Sequence, residues 1–129
     1  MASELRVNTL KDASGNNSVA TSTVAQGSAK AWLRYDAVSG TPVVDDSFNM
    51  SILTDHAVGK HTASITSAMA NGDYAFSCGG SNEGSDARHM FNNNDAPATT
   101  SFRWKTEGIN SGSATDGQNC SVTINGDLA

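Results

Sequence analysis

Residues 29–36 read AKAWLRYD. Ala29, Ala31, Leu33 and Tyr35 recur at every second position, and Lys30, Trp32, Arg34 and Asp36 fill the gaps. A strand places alternate side chains on opposite faces, so this stretch predicts a half-buried strand with the first set on the core. Trp32 falls on the charged face, where the alkyl stems of its neighbours can cover the ring.

The same period recurs outward from this strand. SFNMSIL (47–53) alternates with Phe48, Met50 and Ile52 on one face. TDHAVGK (54–60) reads as a turn, and HTASITSAM (61–69) as a weaker strand. Asn71–Gly72 is a strong turn signal. YAFSCGG (74–80) keeps Tyr74, Phe76 and Cys78 in step. ATTSFRWKT (98–106) puts Phe102 beside Trp104, and NCSVTIN (119–125) aligns Cys120, Val122 and Ile124. Two long polar stretches, 79–97 and 107–118, are expected to be loops. No segment sustains a helical period. The fold expected is all-β, an antiparallel β-sandwich or jelly-roll-like domain over 28–129.

Residues 1–27 read as a separate extended arm. Glu4–Leu10 is expected to be a strand, with Leu5, Val7 and Thr9 on one face, and DASGNN breaks it. SVATSTVA (18–25) is either a thin strand or an extended linker. A strand with a bare edge needs a partner.

Composition narrows the function classes. Hydrophobic residues make up 37% of the 129, while Ser, Thr, Asn and Gly together supply 53. Charged residues are only 16%, so the polarity is neutral and turn-forming, unlike that of a charged disordered chain. This composition suits an extended β protein whose core is completed by copies of itself. The net charge is −5 and the eight Lys and Arg form no run, which argues against nucleic acid. No apolar run is long enough to span a membrane, and no basic amphipathic stretch suits a membrane surface. The first residues lack a basic start and an apolar run, so folding in a cytosol is expected. Two cysteines, Cys78 and Cys120, are no disulfide scaffold and read as small buried hydrophobes, with a bridge left open.

The chain carries no catalytic signature, and no enzyme, cofactor or metal is expected. His56 and His61 flank the turn at 54–60, and His89 lies in a loop. Their spacing is not that of a ligand set, although a three-histidine site on a trimer axis stays open. Asp45 and Asp46 are adjacent and read as solvated carboxylates at the end of a loop. The glycines of 79–84 lead into a loop and not a helix, so backbone freedom explains them better than phosphate binding.

Two stretches carry a resemblance. MASELRVNTLKDASGNNSVA (1–20) resembles an N-terminal segment of tail-fibre and appendage proteins from marine and freshwater, cyanophage-like tailed bacteriophages. Residues 27–76 resemble a module of the same proteins. Gly27, Ser28, Ala29, Lys30, Ala31 and Trp32 match its first motif. Asp46, Ser47, Phe48 and Asn49 match the second, and Ala68, Met69, Asn71 and Tyr74 the third. Arg34 and the DHAVGKH stretch depart from the pattern, and 79–129 matches none of it.

The resemblance implies a virion structural protein, a short tail fibre or appendage subunit, assembled in the host cytoplasm. It implies a homotrimer whose partners are other virion proteins of the tail, the portal-proximal region or the capsid. The alternative is a capsid decoration protein that clamps capsid subunits. Leu5, Val7 and Leu10 are the expected oligomerisation and attachment residues. Arg88, Phe91, Asn92, Asn93 and Asn94 are the expected contacts to a host surface glycan, because a ring beside several amides suits a sugar.

Overall fold

The computed structural model describes residues 3–81, 88–92 and 96–129. Two four-stranded antiparallel sheets form the body. In the first, β4 (Val43–Phe48), β3 (Ala29–Asp36), β10 (Gln118–Asn125) and β7 (Ala75–Ser81) lie side by side in that order. In the second, the order is β5 (Met50–Ala57), β6 (Lys60–Ile65), β9 (Ser101–Gly108) and β8 (Arg88–Asn92). The expected all-β sandwich is the fold observed.

The period-2 faces meet between the sheets. Ala31, Leu33 and Tyr35 of β3 and Cys120, Val122 and Ile124 of β10 face His61, Ala63 and Ile65 of β6 and Phe102 and Trp104 of β9. All eleven are essentially removed from solvent. The centre is aromatic: the Trp104 Nε1–H donates to the Tyr35 hydroxyl at 2.7 Å, and Phe102 stacks on Trp104. Phe76 closes one flank against Phe102, with ring centroids 4.7 Å apart. A core of this kind forms within one chain, so completion by other copies, expected from the composition, is not how the body is filled. Both cysteines are free thiols. Burial, with Cys120 nearby, pushes the Cys78 thiol up to about 12, so it stays protonated at neutral pH.

The chain changes sheet at Asn49, where the sequence predicts one continuous strand over 47–53. Asn49 adopts φ 56°, in the left-handed region that asparagine tolerates better than most residues. One strand therefore becomes two, β4 and β5. The alternation is broken there: Met50 is buried, but Phe48 is 52% exposed and Ile52 is 61% exposed. Neither belongs to the core the sequence assigned them to. Asp45 and Asp46, expected at the end of a loop, are strand residues of β4. Asp45 sits at a bulge and pairs with Arg34, while Asp46 opposes Arg34 in register.

Other boundaries shift as well. The turn expected over 54–60 is narrower, since β5 runs to Ala57 and β6 starts at Lys60. Gly59 holds this corner with φ 68°. A Cβ there would lie 2.5 Å from the Thr106 carbonyl oxygen, so only glycine fits. The long loop expected over 79–97 is shorter too: Gly79 and Gly80 belong to β7, and residues 88–92 form β8.

The arm differs most from expectation. Of the expected Glu4–Leu10 strand only Thr9 and Leu10 are β, in β1 (Thr9–Lys11). It pairs antiparallel with Ser18–Ala20 (β2) in a hairpin. DASGNN is the hairpin's own turn. The Asp12 carboxylate accepts from the Asn16 backbone N–H and the Asn17 amide, and Gly15 takes φ 73°. Those donors, the Asn16 N–H foremost, hold the Asp12 carboxyl below its ordinary value. Residues 21–25, read as strand or linker, lie in a seven-residue helix, α1 (Thr21–Gly27).

Candidate interaction surfaces

Side chains at the expected motif positions within residues 27–76 make contacts at corners of the body. The Asn49 side-chain amide donates to the carbonyls of Lys30 and Ser67, both at 3.0 Å, and its oxygen accepts from the Ser67 N–H at 2.6 Å. The Asp46 carboxylate accepts from the Ser47 N–H, and the Ser47 hydroxyl donates to the Met50 carbonyl. Buried Met69 donates its N–H to the Thr99 carbonyl, and the Tyr74 hydroxyl reaches the carbonyls of Ala98 and Ser101. The Lys30 ammonium reaches back to the Ala25 carbonyl at the end of α1. All three motifs thus act in the scaffold: a sheet corner, the base of the sandwich and the junction with the arm.

The arm beyond that junction is bare. Across residues 3–28 only Thr21 is even half-buried. Leu5 is 81% exposed, and Val7, Leu10, Val19 and Val24 are exposed as well. The helix α1 buries none of its residues and has no side-chain N-cap. Its Thr21 hydroxyl turns back to the carbonyls of Val7 and Asn8, which ties the helix to the hairpin but not to the body. Seven residues with several β-branched side chains are too few to form a stable helix in water. The arm also holds an open depression of about 370 Å³ lined by Asn16, Asn17, Ser18 and Val19. The expected attachment residues Leu5, Val7 and Leu10 are therefore all accessible.

The body also exposes Val43, Val44 and Phe48 of β4 and Ile52 of β5, on the edge strands of the two sheets. Here the Phe48 ring sits across from Trp32 on the outer face of the first sheet.

The expected glycan contacts fall at the opposite edge. Arg88, Phe91 and Asn92 are positions of edge strand β8, with Phe91 opposite Lys105 and Asn92 opposite Trp104 of β9. Asn93 and Asn94 lie outside the described residues. The structure thus places the first three on a strand, where a loop was expected, and does not bring them to the arm.

Among the described residues no group of three His, Cys, Asp or Glu is arranged to hold a metal ion. The histidine that matters structurally is one the sequence reading assigned to the flank of a turn. His61 is fully buried, and His56 is exposed and hydrogen-bonded to Thr62 at 2.9 Å. The signal was available: His61, Ala63 and Ile65 alternate, which carries His61 inward with the other two. No helix among the described residues is long and apolar enough to cross a membrane. No protein-family model, curated protein or solved structure matches the chain.

Proposed function

We propose that this protein is a structural subunit of a phage virion, a short fibre or appendage protein that assembles as a homotrimer through its N-terminal arm. The observation that carries this reading is the arm itself: five large apolar side chains, a hairpin of three-residue strands and a short helix, with almost nothing buried. Ordering such a segment costs conformational entropy that its own contacts do not offset. A second surface that covers Leu5, Val7, Leu10, Val19 and Val24 would supply the missing burial. Other copies of the chain and the virion protein beneath them are the partners that suit a fibre base. The closed body beyond the arm suits a distal knob. Recognition of a host glycan by the segment around Phe91 and Asn92–Asn94 belongs to the same proposal.

Gold-labelled antibody against the body, applied to intact phage particles, tests the reading. Label on the tail is the expected result. Label spread over the head would replace the fibre role with capsid decoration, and particles that lack the protein would overturn the virion role altogether.

A further inference from the structure

The end of the sandwich at the β5–β6 turn contains a buried histidine that the fold alone does not require. His61 is flanked in register by Asp55 of β5 and Trp104 of β9. The Tyr35 ring of β3 lies 5.3 Å away, centroid to centroid. Among the described residues neither ring nitrogen has a hydrogen-bond partner. Two carboxylates stand just out of reach, with Asp55 Oδ1 at 3.9 Å and Asp116 Oδ1 at 4.0 Å from Nε2. These distances are too long for hydrogen bonds.

The two carboxylates belong to the segments that close this end. Asp55 lies on the edge strand. Asp116 lies in the 109–117 connection, and its Oδ1 accepts the Gly59 N–H at 2.7 Å, which fastens that connection to the β5–β6 turn. Thr106 joins the same knot: its N–H donates to the Gly59 carbonyl, and its carbonyl accepts from the Thr115 N–H.

We propose that His61 is an acid-sensitive pin beneath this knot: the bonds of Gly59, Thr106, Thr115 and Asp116 keep the 109–117 connection closed on the β5–β6 turn while the ring is neutral, and they give way when the ring takes a proton from solvent. A neutral imidazole leaves one N–H donor and one acceptor unpaired in this buried pocket. An imidazolium carries two N–H donors and a charge that the pocket does not solvate. The nearest acceptors for Nε2–H are the Asp55 and Asp116 carboxylates. To reach a charge-assisted bond length either must move about 1 Å inward. For Asp116 that movement competes with its bond to Gly59, so protonation and the closed knot oppose each other.

The other charged and titratable groups around the ring fit this balance. Burial holds the His61 pKa below its ordinary value. Asp55 and Asp116 pull it up, and His56 pushes it down. Lys60, adjacent on the same strand and opposite Lys105 in register, adds positive charge near the turn. The Tyr35 phenol is pushed well above its usual range by burial and stays neutral. A histidine whose folded pKa is depressed contributes stability that is fully present above its ordinary value of 6.5 and lost as the pH falls below that value. Acid therefore opens the knot, and neutral pH closes it.

Amide hydrogen exchange on the full chain, corrected for intrinsic rates and run from about pH 7.5 down to about pH 5, tests the pin. The protection of Gly59, Thr106 and Thr115 should fall about tenfold over this range in the unmodified chain. It should fall less than about twofold in His61→Phe. The fall should share its midpoint with the titration of the His61 ring, read from its carbon-bound proton shifts. In Asp116→Asn, which keeps an acceptor for Gly59 but removes a carboxylate, the ring midpoint should move to lower pH. Protection independent of pH, an equal fall in His61→Phe, a midpoint that follows His56, or an unmoved midpoint in Asp116→Asn would each overturn the proposal.

Discussion

Asn49 shows how much of this fold rests on one side chain. Its backbone takes a left-handed turn that most residues avoid, and its amide joins β3 to the chain beyond β6. Asn49→Ala removes three side-chain hydrogen bonds in a half-buried site and leaves a residue that resists φ 56°. The expected loss is about 2–4 kcal/mol of folding free energy, measured by denaturant unfolding. Phe48→Ala, one residue away, should cost less than about 1.5 kcal/mol, because the ring is half exposed and gains only its cross-strand contact with Trp32. The reverse order would mean that Phe48 is a core residue and that the corner is elsewhere. The alternation through SFNMSIL hides this corner, since a period-2 pattern continues in the letters while the backbone turns over. The cue lay in Asn49 itself, one of the few residue types at ease with positive φ. The Tyr35–Trp104 bond makes a second test. Tyr35→Phe strands a buried indole N–H and should destabilise by about 1–3 kcal/mol in the same unfolding measurement.

At the scale of elements, the strands with the strongest alternation were legible, and the arm was not. AKAWLRYD, SFRWKT and NCSVTIN carry their apolar residues on one face, and those faces are the core. The arm carries no such pattern. Thr and Val favour strands by propensity, yet residues 21–27 form a helix that buries none of its residues. DASGNN was read as a break when it is a turn: an aspartate that accepts its own downstream donors, followed by a left-handed glycine. The arm and the body share few bonds, chiefly Asn125 to the Gly27 carbonyl and Lys30 to the Ala25 carbonyl. Deletion of residues 1–27 should therefore leave the circular-dichroism spectrum of the sheets and the unfolding midpoint nearly unchanged. A midpoint lowered by many degrees would show that the arm packs on its own body and is not held for a partner. The expected glycan contacts rest on composition alone. An aromatic ring beside three asparagines suggests a sugar, but the strand at 88–92 was concealed by the turn-forming letters around it.

For the whole molecule, the question is where copies meet. The low apolar content suggested a core shared between chains, but among the described residues fifteen hydrophobic ones are buried within one chain. Among the apolar side chains left exposed are those of the arm and of the edge strands β4 and β5. Light scattering on the full chain should give about three times the 13.3 kDa chain mass. The mass should decline on dilution, because an assembly held by a small apolar arm obeys mass action. The body alone, residues 28–129, should run as a single chain at the same concentration. These two masses discriminate between seams. A trimeric body would move the seam from the arm to the edge strands, where Phe48 of β4 and Ile52 of β5 are exposed. Phe48→Glu should then dissociate it, because the substitution places a charge in an interface that needs to be dry. A monomeric full chain would leave the arm without a self-partner, and under the proposed role its cover would be the virion protein on which the chain is mounted. Mixing the chain with purified virion base proteins would then be the decisive measurement, with the exposed Leu5 as the first residue to truncate.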